Sequence, residues 1–172
     1  MELAFAQLPM VFFSTLVPMA SGAFIGLAIA FLTTRFSEAM LARIDRWTLL
    51  PIGIMLVGFL AGIVFLVGPQ NSVTALQGLD YGVLTLLGVF GLLLIVLTVV
   101  YFAVVSTRRL SYRGRTVFAF IVAACALAYS LGIAALYLMS AVITWISPLI
   151  LFAFAGYCIA GGVPLGVLVL AL

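Results

Sequence analysis

Five stretches of this chain run for twenty residues or more without a single charged side chain, and that fixes the solvent in which it can fold. They cover about Pro9 to Thr33, Thr48 to Gly68, Tyr81 to Val105, Thr116 to Leu138, and Pro148 to Leu172. A helix crosses a bilayer in about 20 apolar residues, whereas a buried helix of a soluble core needs only ~10–14. Water is excluded as the main solvent by composition too. Charged residues make up 6% and hydrophobic residues 67% of the 172, against ~25% charged in a soluble domain. Uninterrupted apolar runs also exclude a β-barrel, whose strands alternate apolar and polar residues. The expected fold is all-α: a polytopic transmembrane helix bundle of about five spans, forming a single domain over residues 1–172.

All eleven charged residues fall between or before these spans. Arg35, Arg43 and Arg46 follow the first span, and Arg108, Arg109, Arg113 and Arg115 follow the third. The other connections carry no base, so every arginine lies on one side of a five-span chain. The positive-inside rule makes that side cytoplasmic and puts the N-terminus outside. Glu2 and the absence of an early basic region argue against a cleaved signal peptide. Trp47, Trp145, Tyr81, Tyr101 and Tyr112 fall at or near span ends, as an interfacial aromatic belt requires. The apolar C-terminal sequence, Gly166 to Leu172, fits either a helix ending flush with the interface or the front part of a longer protein.

Small residues recur at helical spacing: Ser14, Pro18, Ser21, Gly22 and Gly26 in the first span, and Gly58 and Gly62 in the second. Cys125, Ala128, Gly132 and Ala135 do so in the fourth, and Ala153, Gly156, Ala160, Gly161, Gly162 and Gly166 in the fifth. In lipid such stripes let helices approach closely, so they are read as contact faces. Pro18 and Pro164 should kink or open their helices, because proline lacks an N–H and crowds the carbonyl four residues back. Cys125 and Cys158 lie deep in apolar runs without a metal-binding pattern and read as small buried packing residues.

The residues that are missing narrow the chemistry. The chain has no histidine, so it lacks the usual axial ligands of a b-type haem, the base of a Ser-His-Asp arrangement and the common zinc ligands. No ionisable residue sits inside a span, as ion-coupled transport commonly requires, and phosphate- and dinucleotide-binding fingerprints are absent. No catalytic residue and no metal ligand is assigned, and no nucleic-acid partner is expected. The arginine-rich connections can meet anionic lipid headgroups or an acidic partner.

Three segments carry a resemblance. Gln7-Leu8-Pro9-Met10-Val11-Phe12-Phe13 followed by Ala20-Ser21-Gly22 is one. Gly58-Phe59-Leu60-Ala61 through Leu66-Val67-Gly68-Pro69 to Ala75-Leu76 is the second. The third is Trp145-Ile146-Ser147-Pro148 with Gly161-Gly162-Val163-Pro164-Leu165-Gly166. In order and spacing they resemble the dimethyl sulfoxide reductase membrane-anchor subunits over the whole chain. That family has eight spans, of which this chain matches the first five.

The resemblance implies a cytoplasmic (inner) membrane protein that anchors an iron–sulfur electron-transfer subunit and a molybdenum catalytic subunit. It implies oxidation of menaquinol, with electrons passing directly to the partner's nearest cluster and no redox cofactor held by the anchor itself. The family's quinol-associated histidine falls at Phe65, and its acidic residue in the third span near Leu86 or Leu87. Since quinol oxidation releases two protons, nearby groups must serve instead. Asp80 with Gln77 is the candidate pair, hydrogen-bonding or deprotonating a quinol whose ring sits near Phe65, Gly68 and Pro69. Two other readings stay open: a non-redox scaffold or assembly subunit, favoured by Phe65 itself, and a small transporter of apolar substrates.

Overall fold

The computed structural model describes residues 2–67, 81–107, 111–138 and 149–172, with side chains except at 2–7, 65–67, 81–84 and 136–138. Seven α-helices follow in chain order: α1 Glu2–Thr33, α2 Glu38–Trp47, α3 Leu49–Val67, α4 Tyr81–Ser106, α5 Tyr112–Leu138, α6 Leu149–Tyr157 and α7 Val163–Ala171. A π-helical stretch, Cys158–Gly162, joins α6 to α7. There is no strand among the described residues. Five segments are long and apolar enough to cross a membrane: Leu8–Thr33, Glu38–Val64, Thr85–Ser106, Tyr112–Ala135 and Leu149–Ala171. The chain is an all-α, multi-pass bundle.

Helix α1 is its hub. It packs against α3, α5, α6, the π-helical turn and α7, while α4 lies at the rim against α5 and α3. Val17, Ala20, Phe24, Leu27 and Phe31 are buried along one face of α1 at alternating three- and four-residue steps, the spacing that keeps one stripe turned toward neighbours. That stripe cannot be read from hydropathy, because the opposite face is apolar as well: Val11, Phe12, Ile29 and Leu32 are exposed. In lipid both faces are comfortable, and packing rather than polarity chooses which is inside.

Glycine makes the choice on α1. A Cβ on Gly22 would lie 1.9 Å from the Cys158 carbonyl oxygen, and one on Gly162 would lie 2.4 Å from the Gly22 Cα. The two backbones touch at a distance that admits no side chain. On the other flank, Cβ atoms at Gly58 and Gly62 would meet Val17 Cγ2 and Phe13 Cδ2, each at 2.8 Å. The stripes of the first two spans and the lower part of the fifth are therefore contact faces. That of the fourth span differs: Cys125 and Ala128 are exposed, and α5 instead buries Ala119, Val122, Ala126, Ser130 and Ile133. Cys158 is buried as expected, whereas Cys125 faces outward. Ala153, Gly156 and Ala160 likewise face outward.

Proline shapes two spans. Pro164 has no N–H for the Ala160 carbonyl, and the π-helical turn just before it widens the helix there, as expected of an opened span. Helix α1, by contrast, stays α-helical through Pro9 and Pro18. A fourth proline, Pro51, cannot bond the Trp47 carbonyl, and the helix breaks at Thr48, separating α2 from α3.

Helix α2 was not expected: the sequence reads as a connection between two spans. Ser37 caps it, its side chain accepting from the Met40 N–H, with Glu38 in the first turn and Arg46 in the last. Leu41, Ile44, Asp45 and Thr48 are buried on one side, and Arg43, Arg46 and Trp47 are exposed on the other.

Candidate functional site

The described residues hold two buried polar centres. The first lies at the arginine-bearing end. Arg115 Nη1 is 2.7 Å from both carboxylate oxygens of Asp45, and Nη2 donates to the Val105 carbonyl at 3.4 Å. Arg115 is 5% exposed and Asp45 7%, so neither charge is left to water. This pair sits inside the bundle although the sequence assigns both residues to connections. Helix α5 begins at Tyr112, four residues before the expected span, and carries Arg115 in with it.

Aromatic rings close this end. Tyr101 stands edge-on to Phe24 and Phe118, at ring separations of 6.4 and 5.4 Å. It is 2% exposed, so Tyr101 belongs to the core and not to an interfacial belt. The Tyr112 hydroxyl reaches the Phe31 carbonyl at 2.9 Å and also meets the Thr34 carbonyl. Carbonyls at the end of a helix lack N–H partners from within it, and this phenol donates its O–H instead, across 81 residues of sequence to Phe31 and 78 to Thr34. The arrangement ties α1, α2, α4 and α5 together and offers no acid or base to a substrate.

The second centre lies where α1, α5 and the π-helical turn meet. Ser130 Oγ donates to Ser21 Oγ at 3.0 Å, and Ser21 Oγ donates to the Val17 carbonyl at 2.8 Å. The Cys158 thiol is buried beside Ser130 and interacts with its hydroxyl. These groups are satisfied by one another. Their chemistry is that of helix-to-helix adhesion, one residue from the Gly22 contact.

Toward the opposite end, Phe13, Phe59 and Tyr129 form an aromatic wall, with Phe59 6.2 Å from Phe13 and 5.4 Å from Tyr129. Gly91 of α4 admits it, since a Cβ there would lie 2.7 Å from the Tyr129 hydroxyl. Phe65, one of the residues expected to contact quinol, lies in the last turn of α3, and its side chain is outside the described set. Gly68, Pro69, Gln77 and Asp80 fall outside the described residues altogether. Of the two positions matched to the family's acid, Leu86 is exposed, and Leu87 is half-buried with its Cδ1 near Gly132. Among the described residues no three His, Cys, Asp or Glu side chains converge to hold a metal.

Sequence comparison adds one finding. No curated protein and no solved structure matches the chain. The family described as DMSO reductase anchor subunit (DmsC) matches it over residues 1–172, its whole length. With five segments long and apolar enough to cross a membrane, and a family match over its whole length, the chain belongs to the DMSO reductase anchor subunit family.

Proposed function

We propose that this chain oxidises menaquinol in the cytoplasmic membrane and passes the electrons to an iron–sulfur subunit that serves a molybdenum catalytic subunit. The observation that carries this reading is the family match over the entire chain. Oxidation of one quinol yields the quinone, two electrons and two protons. The electrons leave through the partner's cluster, and the protons need acceptors near the ring. Asp80 is the acid closest in sequence to the α3–α4 end of the bundle, with Gln77 three residues before it. Asp80 takes one proton and water on that side of the membrane takes the other, Gln77 orients the hydroxyl, and Phe65, Gly68 and Pro69 flank the ring. By the positive-inside rule the arginine-bearing end is cytoplasmic, so this quinol site and its protons lie on the outer side.

A second reading is favoured by Phe65, which stands where the family's histidine would be: a scaffold that keeps the anchoring role without oxidising quinol. One experiment separates the two. The chain is extracted in gentle detergent, and the co-purifying proteins and quinones are identified by mass spectrometry. An iron–sulfur subunit together with menaquinone supports the oxidising anchor. The same subunit without quinone supports the scaffold, and recovery of neither defeats both.

A further inference from the structure

The outer flank of α5 at the arginine-bearing end carries a shallow groove against the end of α1. It is lined by Leu32, Thr116, Val117, Phe120, Ile121 and Ala124. Its one polar lining side chain is already used, Thr116 Oγ1 donating to the Tyr112 carbonyl at 3.1 Å. The α5 residues from Val117 to Ala124 extend the groove about 10 Å along the helix, at ~1.5 Å per residue. That is more than half of one leaflet, whose hydrocarbon is about 15 Å thick.

Two arginines stand at its mouth. Arg113 precedes Val117, Phe120 and Ala124 by four, seven and eleven residues, and so shares their face of α5. Arg35 follows Leu32 by three residues. The Tyr112 hydroxyl contact with the Thr34 carbonyl holds the start of α5 against the end of α1, so the two arginines, each next in sequence to one end of that tether, branch from the same end of the groove. Both are exposed, and neither makes a salt bridge among the described residues. Their neighbour Arg115 is different: its charge is spent on Asp45.

We propose that this groove binds one anionic phospholipid, an acyl chain lying along Val117, Phe120 and Ala124 with its phosphate between Arg35 and Arg113. The charge pattern selects the occupant. Two exposed arginines at one end of a trough whose single hydroxyl is already bonded match a molecule with an anionic head and a hydrocarbon tail. A quinone would leave the arginines without a counter-charge, and an acidic protein segment would leave the trough empty. The site lies at the arginine-bearing end and does not depend on quinol oxidation.

The test is native mass spectrometry of the full chain in neutral detergent, titrated with phosphatidylglycerol or with phosphatidylcholine of the same acyl chains. The proposal predicts one saturable phosphatidylglycerol, with phosphatidylcholine binding markedly weaker. At about 1 kcal/mol per arginine near a membrane surface, Arg35→Gln with Arg113→Gln should weaken it roughly 30-fold. Arg43→Gln with Arg46→Gln removes the same charge from α2 and should leave the binding unchanged. Ala124→Trp, which fills the trough and keeps both charges, should also abolish retention. Equal binding of the two lipids overturns the proposal. So does equal weakening by the two arginine pairs, or full retention in Ala124→Trp.

Discussion

Arg115 and Asp45 come from helices 70 residues apart and meet inside the bundle, one guanidinium nitrogen equidistant, at 2.7 Å, from both carboxylate oxygens. The pair clamps α2, which is too short to be stable alone, onto the first turn of α5. A buried pair adds little over an apolar pair of similar volume, but removing one partner strands the other charge, at a cost of about 3–5 kcal/mol. Asp45→Asn should therefore lower the thermal stability of the detergent-solubilised protein by that amount. Asp45→Leu combined with Arg115→Met should recover most of it. Measurement is by size exclusion of a fluorescent fusion after a heating series. A double variant that loses as much as the Asp45 and Arg115 single variants added together would show that the two residues act independently.

The Gly22–Gly162 contact makes a sharper steric prediction. Overpacking a core costs about 1–3 kcal/mol when neighbours can move. Here the obstacle is the backbone of the π-helical turn, 1.9 Å from a Cβ on Gly22, so Gly22→Ala should reach or exceed the top of that range. Gly53 is the control: a Cβ there meets nothing within 4 Å. Gly53→Ala should be neutral or add about 0.5–1 kcal/mol of helix stability. Folded yields of the two variants, compared in one membrane preparation, check the contrast.

Tyr112 tests the tether between α1 and α5. Tyr112→Phe keeps the ring edge-on to Phe31, now 6.3 Å away, and removes only the hydroxyl that serves Phe31 and Thr34. A loss of about 0.5–1.5 kcal/mol is expected, with faster amide exchange confined to the end of α1. Exchange unchanged at residues 31–35 would mean that water replaces the phenol fully.

The Ser130–Ser21 bond should matter less than its burial suggests. Hydrogen bonds between membrane helices average about 0.6 kcal/mol, and Ser21 keeps its bond to the Val17 carbonyl without Ser130. Ser130→Ala should cost well under half of what Gly22→Ala costs. A reversed order, measured by the same heating series, would assign the adhesion to the hydroxyls and not to backbone contact.

The membrane class and the five spans were legible because lipid crossing demands length and lack of charge, and both are written directly in the residues. The contact stripes were legible where glycine forces them, at Gly22, Gly58 and Gly62. They failed at Cys125 and Ala128, since alanine and cysteine pack against protein or lipid with equal ease. Helix α2 was missed because Arg43, Asp45 and Arg46 look like a solvated loop, although Ser37 before Glu38 and the Leu41–Ile44 spacing were a usable start signal. The Asp45–Arg115 pair was out of reach, because pairing across 70 residues is a property of the packing and not of any local pattern. At the quinol site the position of Phe65 came from the resemblance, and Asp80 and Gln77 from their nearness to it in the sequence; their test is functional.

That test turns on the two protons of quinol oxidation. If Asp80 accepts one, Asp80→Asn should slow menaquinol oxidation by the intact complex by about 10²–10⁴-fold, the usual contribution of a positioned base. Subunit recovery and quinone content should stay unchanged. Phe65→His restores a titratable group where the family's histidine falls, and in the Asp80→Asn background it should return a measurable part of the rate. The return should grow as pH rises through the ordinary histidine range near 6.5, because only the neutral imidazole accepts a proton. Full activity in Asp80→Asn would remove Asp80 from the mechanism. A slowed Asp80→Asn that Phe65→His fails to rescue would keep Asp80 and place the ring away from Phe65.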